Sequence, residues 1–92
     1  MMENLLNWKE MIEDEMKNHN DSFHNVISCT LSEDELLEKF NTDYGSTNGK
    51  HFTLWTKTRV YFPVVYDGAE WVGSVSRNPD GNQTKHIGGG YD

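Results

Sequence analysis

Residues 59–76, RVYFPVVYDGAEWVGSVS, predict an antiparallel β-hairpin. Two runs rich in β-branched and aromatic residues flank Asp67-Gly68, and both of these positions tolerate the positive φ that a type I′ turn requires. The strands on either side of the turn are predicted at Arg59–Tyr66 and Glu70–Ser76. The rest of the chain is interpreted as elements that pack around this hairpin.

Both faces of the predicted hairpin are partly apolar. A two-residue turn sets Val64 opposite Trp71 and Val60 opposite Val75. The side chains then fall on two faces, the first with Val60, Phe62, Val64 and Trp71 and the second with Tyr61, Val65 and Val72. Because helices can cover only one face, the face with Tyr61 and Val72 is expected to pack under the tail or a loop, or else to contact a partner or a second copy of the chain.

Pro63 interrupts the predicted strand Arg59–Tyr66. Proline removes one backbone donor from a strand ladder, so this strand is expected to be bulged at Pro63 or unpaired there on one side. Either arrangement leaves a strand edge available to another chain.

Residues 3–18 predict an amphipathic helix. Apolar residues recur at helical spacing, no glycine or proline interrupts them, and Glu13 and Lys17 stand in the favourable i, i+4 order. The apolar stripe consists of Leu5, Leu6, Trp8, Met11, Ile12 and Met16.

A second helix is predicted to begin at Ser32. Ser32 and Glu35 have the spacing of a capping box, in which each side chain accepts a hydrogen bond from the other residue's backbone N–H. Leu31, before the cap, is placed to pack on Leu36 as a hydrophobic staple. Leu36, Leu37 and Phe40 are then expected to form the buried face of a helix of two to three turns.

The remaining segments complete one small acidic domain, residues 1–92. Strands are predicted at Val26–Leu31 and His51–Thr56, and a polar loop at Asn41–Lys50. Residues 84–87 could add a short strand, and the glycine-rich tail, residues 88–92, is expected to be flexible. The predicted fold is a two-layer α+β domain of order α-β-α-β-β-β, with two amphipathic helices packed on one face of a three- to four-stranded antiparallel sheet.

Charge is distributed unevenly along the chain. The formal net charge is −7; residues 1–45 contain eleven acidic residues and three lysines, whereas residues 46–92 contain five basic and four acidic residues. Such a surface repels phosphate backbones, which argues against direct nucleic-acid binding. It would attract a basic protein. The simpler alternative is that the acidic helices only keep a small protein soluble.

Compartment is indicated only indirectly. The N-terminal stretch has an acidic residue, Glu3, before any basic one and no apolar core, so it is not expected to be a secretory signal. No apolar run is long enough to cross a membrane, and a single cysteine, Cys29, cannot form an internal disulfide. A cytoplasmic protein without membrane contact is expected, although a mature secreted chain would look similar.

The chain contains no motif that names a reaction, and we expect no enzyme activity, no catalytic residue, no metal and no cofactor. Cys29 is expected to be a small buried thiol rather than a nucleophile. The histidines match no compact metal-ligand spacing, and the glycines at 88–90 lack the strand–loop–helix context of a phosphate loop. The four histidines that could serve as a base or a ligand are His19, His24, His51 and His86.

Basic residues interleave with aromatic ones in the C-terminal half, a pattern that can bind single-stranded nucleic acid. The net negative charge weighs against that interpretation. The residues concerned are Lys57, Arg59, Arg77 and Lys85, with Trp55, Tyr61 and Trp71.

The leading functional hypothesis is a protein-binding inhibitor whose acidic helices occlude a basic, nucleic-acid-binding partner. In size and charge alone, it is comparable to anti-restriction, anti-CRISPR and toxin-immunity proteins. The carboxylates that would imitate phosphates are Glu10, Glu13, Asp14, Glu33, Asp34 and Glu38.

Two further hypotheses remain open. Contact with a partner could instead run through aromatic residues of the sheet, namely Trp55, Tyr61, Tyr66 and Trp71. Alternatively, the chain could have a structural role and form homodimers through the open strand edge or the second apolar face.

Overall fold

The computed structural model describes residues 5–42 and 47–87 and shows an α+β fold with two helices and two antiparallel sheets. One sheet has four strands in the order β2-β4-β5-β6, and the other pairs β1 with β3. The elements in chain order are β1 (Leu5–Leu6), α1 (Trp8–Lys17), a 3-10 turn (Phe23–Asn25), β2 (Val26–Cys29), α2 (Glu33–Leu37), β3 (Phe40–Asn41), β4 (Leu54–Thr56), β5 (Arg59–Tyr66) and β6 (Ala69–Ser76).

The small second sheet was not predicted from the sequence. Residues 84–87 form no strand, and β2 and β4 are shorter than expected. The predicted flexible tail, residues 88–92, and part of the predicted polar loop, residues 43–46, lie outside the described residues.

The hairpin prediction is confirmed. Asp67 and Gly68 have φ values of 52° and 83°, so both occupy the left-handed region that a type I′ turn requires. Val64 pairs with Trp71 and Val60 with Val75, as the two-residue turn dictates. The register runs without a shift along the whole of β5 and β6.

Pro63 lies in β5 where its missing donor costs no ladder bond. It stands opposite Val72. Hydrogen-bonded and non-hydrogen-bonded residue pairs alternate along the hairpin from the two-residue turn, and this pair is a non-hydrogen-bonded one. The proline nitrogen therefore faces away from β6, towards β4. The pairing with β4 extends only to Tyr61, so β5 is unpaired on that side at Pro63, one of the two arrangements expected.

Helix α1 begins later than predicted. Asn7 caps it: the Asn7 Oδ1 accepts a hydrogen bond from the Glu10 N–H at 2.8 Å, and the Glu10 carboxylate accepts one from the Asn7 N–H at 3.2 Å. Because this box fixes the start of the helix, Leu5 and Leu6 are extended, pair with β3 and remain exposed. The predicted buried face is otherwise confirmed, as Trp8, Met11, Ile12 and Met16 are buried.

Helix α2 is capped as predicted but is shorter. The Glu35 N–H donates to the Ser32 Oγ at 3.2 Å, and the Ser32 N–H donates to the Glu35 carboxylate at 2.9 Å. The helix ends at Leu37 because Glu38 is extended (ψ 126°). Leu37 is 46% exposed. The predicted burial of Leu37 and Phe40 on this helix is therefore wrong, and of the three predicted residues only Leu36 is buried there. Phe40 belongs to β3.

Helix α1 covers the face of the sheet that was expected to be free of helices. Tyr61 and Val72 are buried in one cluster with Leu54 and with Trp8 and Ile12 of α1. Helix α2 contacts α1. The opposite face is only half-buried; a Cβ placed on Gly73 would lie 3.1 Å from the Cδ1 of Ile87, so Ile87 lies over that face. The prediction was wrong because both faces of the hairpin are apolar in sequence, and this pattern does not indicate which of them α1 contacts.

Trp8 is the centre of the core. Its indole ring lies 4.9 Å from the ring of Phe40 and 4.8 Å from that of Phe52, centroid to centroid. The indole N–H donates to the Lys50 carbonyl oxygen at 3.1 Å. Gly49 is so close to these rings that a Cβ there would overlap the Trp8 ring and lie 2.7 Å from the Phe40 Cζ.

The contact at Gly49 predicts that Gly49→Ala destabilises the fold. Rigid rings that have no free space beside them must shift to admit the methyl group, which costs about 1–3 kcal/mol. Urea denaturation followed by tryptophan fluorescence measures the change. Thr47→Ala, at an exposed position of the same segment, is the matched control and should change the free energy of unfolding by less than about 0.5 kcal/mol. Equal stability of the two variants would show that the site is not tightly packed.

Candidate functional site

A hydrogen-bonded carboxylate, Asp21, lies between α1 and the sheet. Its Oδ2 accepts hydrogen bonds from the Tyr61 hydroxyl and the Thr56 Oγ1, both at 2.7 Å. Its Oδ1 accepts from the Ser22 N–H at 2.9 Å and from the Asn25 Nδ2 at 3.0 Å. Because both of its oxygens accept hydrogen bonds, the Asp21 carboxylate has a structural role. It joins the turn that follows α1 to β4 and β5.

The pKa values in this cluster follow from burial and hydrogen bonding. Burial opposes ionisation of Asp21, but the donors from Tyr61, Thr56, Asn25 and Ser22 outweigh it and hold the pKa of the carboxyl below its usual range. Burial raises the pKa of the Tyr61 hydroxyl, and its hydrogen bond to Asp21 raises it further. Tyr61 is therefore a neutral donor and Asp21 an ionised acceptor at neutral pH.

A second polar network connects α1 to β5 and β6. The Ser74 hydroxyl donates to the Glu15 Oε2 at 2.7 Å and accepts from the Arg59 Nε at 3.0 Å. The Nε2 of His19 lies 3.0 Å from the same Glu15 oxygen. Ser74 is buried and held by Glu15, so its hydrogen bond orients the Arg59 guanidinium beside β6.

Beside this network lies a cleft of ≈ 680 Å³ between the end of β6 and the irregular chain that follows it. We call it the β6 cleft. Its charged or titratable lining residues are His19, Arg59, Arg77, Lys85 and Asp80.

The six carboxylates predicted to contact a partner are all exposed, and we call them the acidic surface: Glu10, Glu13, Asp14, Glu33, Asp34 and Glu38. Those on α1 lie on the side of the helix away from its buried residues. Those on α2 lie in its first turn and at its C-cap. Because α1 and α2 are in contact, the two groups lie on neighbouring elements.

Ion pairs neutralise the acidic surface only weakly. Asp14 lies 4.0 Å from Lys17, with both side chains about four-fifths exposed, and Glu38 lies 3.2 Å from Lys50. Exposed pairs of this kind contribute little stability. Among the described residues, Glu13, Glu33 and Asp34 have no salt bridge.

The four aromatic residues of the second hypothesis do not form one exposed surface. Tyr66 and Trp71 are 49% and 36% exposed, and Trp55 is half-buried. Tyr61 is fully buried and hydrogen-bonded to Asp21, so its side chain is not available to a partner. This removes Tyr61 from the predicted set, because its face of the sheet is the one that α1 covers.

The described chain assembles none of the reactive groups considered in the sequence. Cys29 is half-buried and packs against the core. Within residues 5–42 and 47–87, no three histidine, cysteine or acidic side chains are grouped to hold a metal ion. No helix in these ranges is long and apolar enough to cross a membrane.

Sequence reasoning missed the residues that organise the polar networks: Glu15, Asp21, Thr56, Glu70 and Ser74. The one usable signal was Tyr61, because a tyrosine on a buried face requires a hydrogen-bond partner for its hydroxyl. Nothing in the sequence singled out Asp21 among the polar residues after α1 as that partner.

Comparison with known proteins adds no assignment. No protein-family model matches the chain, and no curated protein or solved structure matches it significantly.

The lowered pKa of Asp21 predicts how stability depends on pH. Since the folded pKa lies below the ordinary value of 3.8, ionised Asp21 stabilises the fold above that pH, and the contribution is lost as the pH falls through the folded pKa. Asp21→Asn should lower the free energy of unfolding at pH 7 by about 1.5–3 kcal/mol, the range for hydrogen bonds to a charged group.

Urea denaturation at a series of pH values between 7 and 2 tests this. The difference in free energy of unfolding between wild type and Asp21→Asn should become smaller in acid. Tyr61→Phe removes one donor but keeps the carboxyl, so its free energy of unfolding should still fall as the pH is lowered. A constant gap across the series would show that ionisation of Asp21 does not stabilise the fold.

Proposed function

We propose that this protein is a protein-binding antagonist whose acidic surface occludes the basic, nucleic-acid-binding groove of another protein. The observation that supports this is the exposure of all six carboxylates on two helices that contact each other. An inhibitor of the anti-restriction, anti-CRISPR or toxin-immunity kind would need such a surface.

Helical spacing makes the carboxylates a suitable substitute for phosphates. Glu13 and Asp14 stand three and four positions after Glu10, so each lies about 5–6 Å from Glu10 at Cβ. They project from a rigid element that the Asn7 cap and the buried face hold in place. A preorganised row of charges loses little conformational entropy when it meets a basic groove.

Long-range electrostatics would assist the encounter. Both helices lie in the part of the sequence that carries most of the acidic residues. A field of one sign over a surface raises the association rate with an oppositely charged partner, and salt weakens the effect. The proposed partner is a basic protein, bound without direct contact between this chain and nucleic acid.

Removal of two charges from the acidic surface should weaken partner binding. We expect Glu13→Gln with Asp14→Asn to reduce affinity at least about tenfold, since close charge pairs across an interface are worth about 1.5 kcal/mol or more. The matched control is Asp67→Asn with Asp80→Asn, which removes two carboxylates outside the helices. The measurement is capture on each immobilised variant from nuclease-treated lysate of the source organism, with stepwise salt elution and mass spectrometry.

The expected partner is a nucleic-acid-binding protein that elutes at high salt from wild type and the control but not from the helix variant. Added nucleic acid should compete with its capture. If the two double variants retain the same protein equally, the acidic surface is not the binding site.

A second candidate function, self-association, is favoured by the edge position of β6 in the larger sheet. Exposed apolar side chains lie on both faces of the same hairpin, Tyr66 and Trp71 on one face and Val65 on the other, each at least 36% exposed. A copy of the chain could bury these residues and pair with the edge.

Self-association predicts a mass that rises with protein concentration. Sedimentation equilibrium from micromolar to millimolar concentration should show dimers of wild type and of Lys57→Gln but monomers of Trp71→Lys, because a lysine cannot be buried in an apolar contact without cost. High salt should not dissociate the dimer. A monomer at all concentrations would reject the assembly role and leave the antagonist proposal in place.

A further inference from the structure

We propose that the β6 cleft binds a compact, hydrophilic phosphorylated molecule, of the size of a sugar phosphate or a short oligophosphate. This site shares no residue with the acidic surface, so it is independent of the function proposed above. Four observations support it: the charge of the lining, the fixed position of two guanidinium groups, the donors they leave free, and the polarity of the walls.

Positive charge is concentrated at the β6 cleft in a chain with a net charge of −7. Arg59, Arg77 and Lys85 line it, and Asp80 is the one carboxylate among the described lining residues. Within the described ranges, none of these three cations forms a salt bridge. Cations that converge on one concave site, with too few carboxylates to neutralise them, are suited to an anionic ligand.

The Asp80 carboxylate already accepts a hydrogen bond from the protein. The Asp80 Oδ1 accepts a hydrogen bond from the Asn82 N–H at 2.9 Å. That bond, with a weaker attraction from Arg59, holds the pKa of Asp80 below its usual range. Asp80 thus orders the chain that forms the outer wall and offsets only part of the positive charge.

Two guanidinium groups are held in fixed positions by one hydrogen bond each. The Arg59 Nε donates to the Ser74 Oγ at 3.0 Å, and Ser74 is buried and bonded in turn to Glu15. The Arg77 Nη1 donates to the Thr56 carbonyl oxygen at 2.9 Å. A phosphate would therefore meet a half-buried arginine, Arg59, and an exposed one, Arg77, each already oriented by a hydrogen bond.

The remaining guanidinium donors are not used elsewhere in the described chain. Arg59 has both terminal nitrogens without a hydrogen bond there, and Arg77 has its Nε and Nη2. A guanidinium presents its N–H groups as a planar fork that matches two phosphate oxygens. Two such forks and the ammonium group of Lys85 can complete the coordination of one or two phosphoryl groups.

The described walls of the cleft are mostly polar, which disfavours apolar ligands. Among the described lining residues, serine, asparagine, glutamine and threonine side chains predominate. Val75 and Pro79 are the only apolar side chains in this set, and the imidazole of His19 is its only ring apart from the proline. A nucleobase would find no tryptophan, tyrosine or phenylalanine among these residues on which to stack. The volume of ≈ 680 Å³ lies within the range of small-molecule sites. Hydroxyl and phosphoryl groups therefore suit the site better than an aromatic or apolar ligand.

Isothermal titration calorimetry of the intact protein at low ionic strength tests the proposal, with pyrophosphate and glucose 6-phosphate as probes. We expect saturable binding of one molecule per chain for at least one probe, and none for glucose. The tighter of the two probes identifies the ligand as an oligophosphate or a sugar phosphate. Adenosine diphosphate should bind no more tightly than pyrophosphate, because the described lining holds no tryptophan, tyrosine or phenylalanine on which a base could stack.

Charge removal at the cleft should act locally. Lys85→Gln, which disturbs no hydrogen bond of the described fold, is expected to weaken binding roughly 3- to 10-fold, as loss of a charge-assisted contact does. Lys57→Gln removes the same charge from an exposed position in the β4–β5 turn, outside the cleft, and should leave the affinity within about twofold. In NMR spectra, the Arg59 Nε–H resonance should shift on saturation.

Three results would overturn the proposal. They are an absence of saturable binding by either probe at millimolar concentration, equal weakening by Lys57→Gln and Lys85→Gln, and binding of adenosine diphosphate more than tenfold tighter than pyrophosphate. The first two would leave only a diffuse electrostatic attraction, and the third would show that a base is recognised.

Discussion

The indole ring of Trp8 is the contact on which the rest of the fold depends. It joins three segments that are distant in the chain, since Phe40 comes from β3, and Phe52 and the Lys50 carbonyl come from the segment before β4. Closing such long loops costs conformational entropy, which a large buried ring with a satisfied N–H can offset. Gly49 is required beside it because no side chain fits there.

Further contacts reinforce this arrangement from outside the core. The Lys50 ammonium lies 3.2 Å from both Glu35 and Glu38, so the residue that accepts the indole hydrogen bond also holds the end of α2. The buried Glu70 carboxylate accepts hydrogen bonds from the backbone N–H groups of Asn48 and Gly49, at 2.8 Å and 3.0 Å. The segment before β4 is thereby tied to α1, α2 and β6 at once.

Local features were predictable from the sequence because their causes lie within a few residues. The Asp67-Gly68 turn, the Ser32–Glu35 capping box and the buried stripe of α1 each depend on neighbours in the chain, and each is confirmed. The predicted acidic residues proved exposed for the same reason, since they fall between the apolar positions of a helical pattern.

Hydrogen bonds between side chains that are distant in the chain could not be predicted from the sequence. The choice of sheet face rests on Asp21 and Tyr61, forty positions apart, and the orientation of Arg59 rests on Ser74 and through it on Glu15. Buried hydroxyls and carboxylates must find partners, and every buried side-chain polar atom among the described residues has one. Which partner each finds is decided by the whole fold. The basic residues Arg59, Arg77 and Lys85 could therefore be named from the sequence, but their convergence on the β6 cleft could not be predicted.

Pro63 has a consequence for the behaviour of this chain in concentrated solution. Beyond the reach of β4, residues 62–66 of β5 (Phe-Pro-Val-Val-Tyr) pair with no other described strand on the side opposite β6. Such a segment is a template for intermolecular cross-β growth. A proline whose nitrogen faces that open side removes one of the donors an incoming strand would need, so it protects the hairpin from amyloid-like aggregation without weakening it.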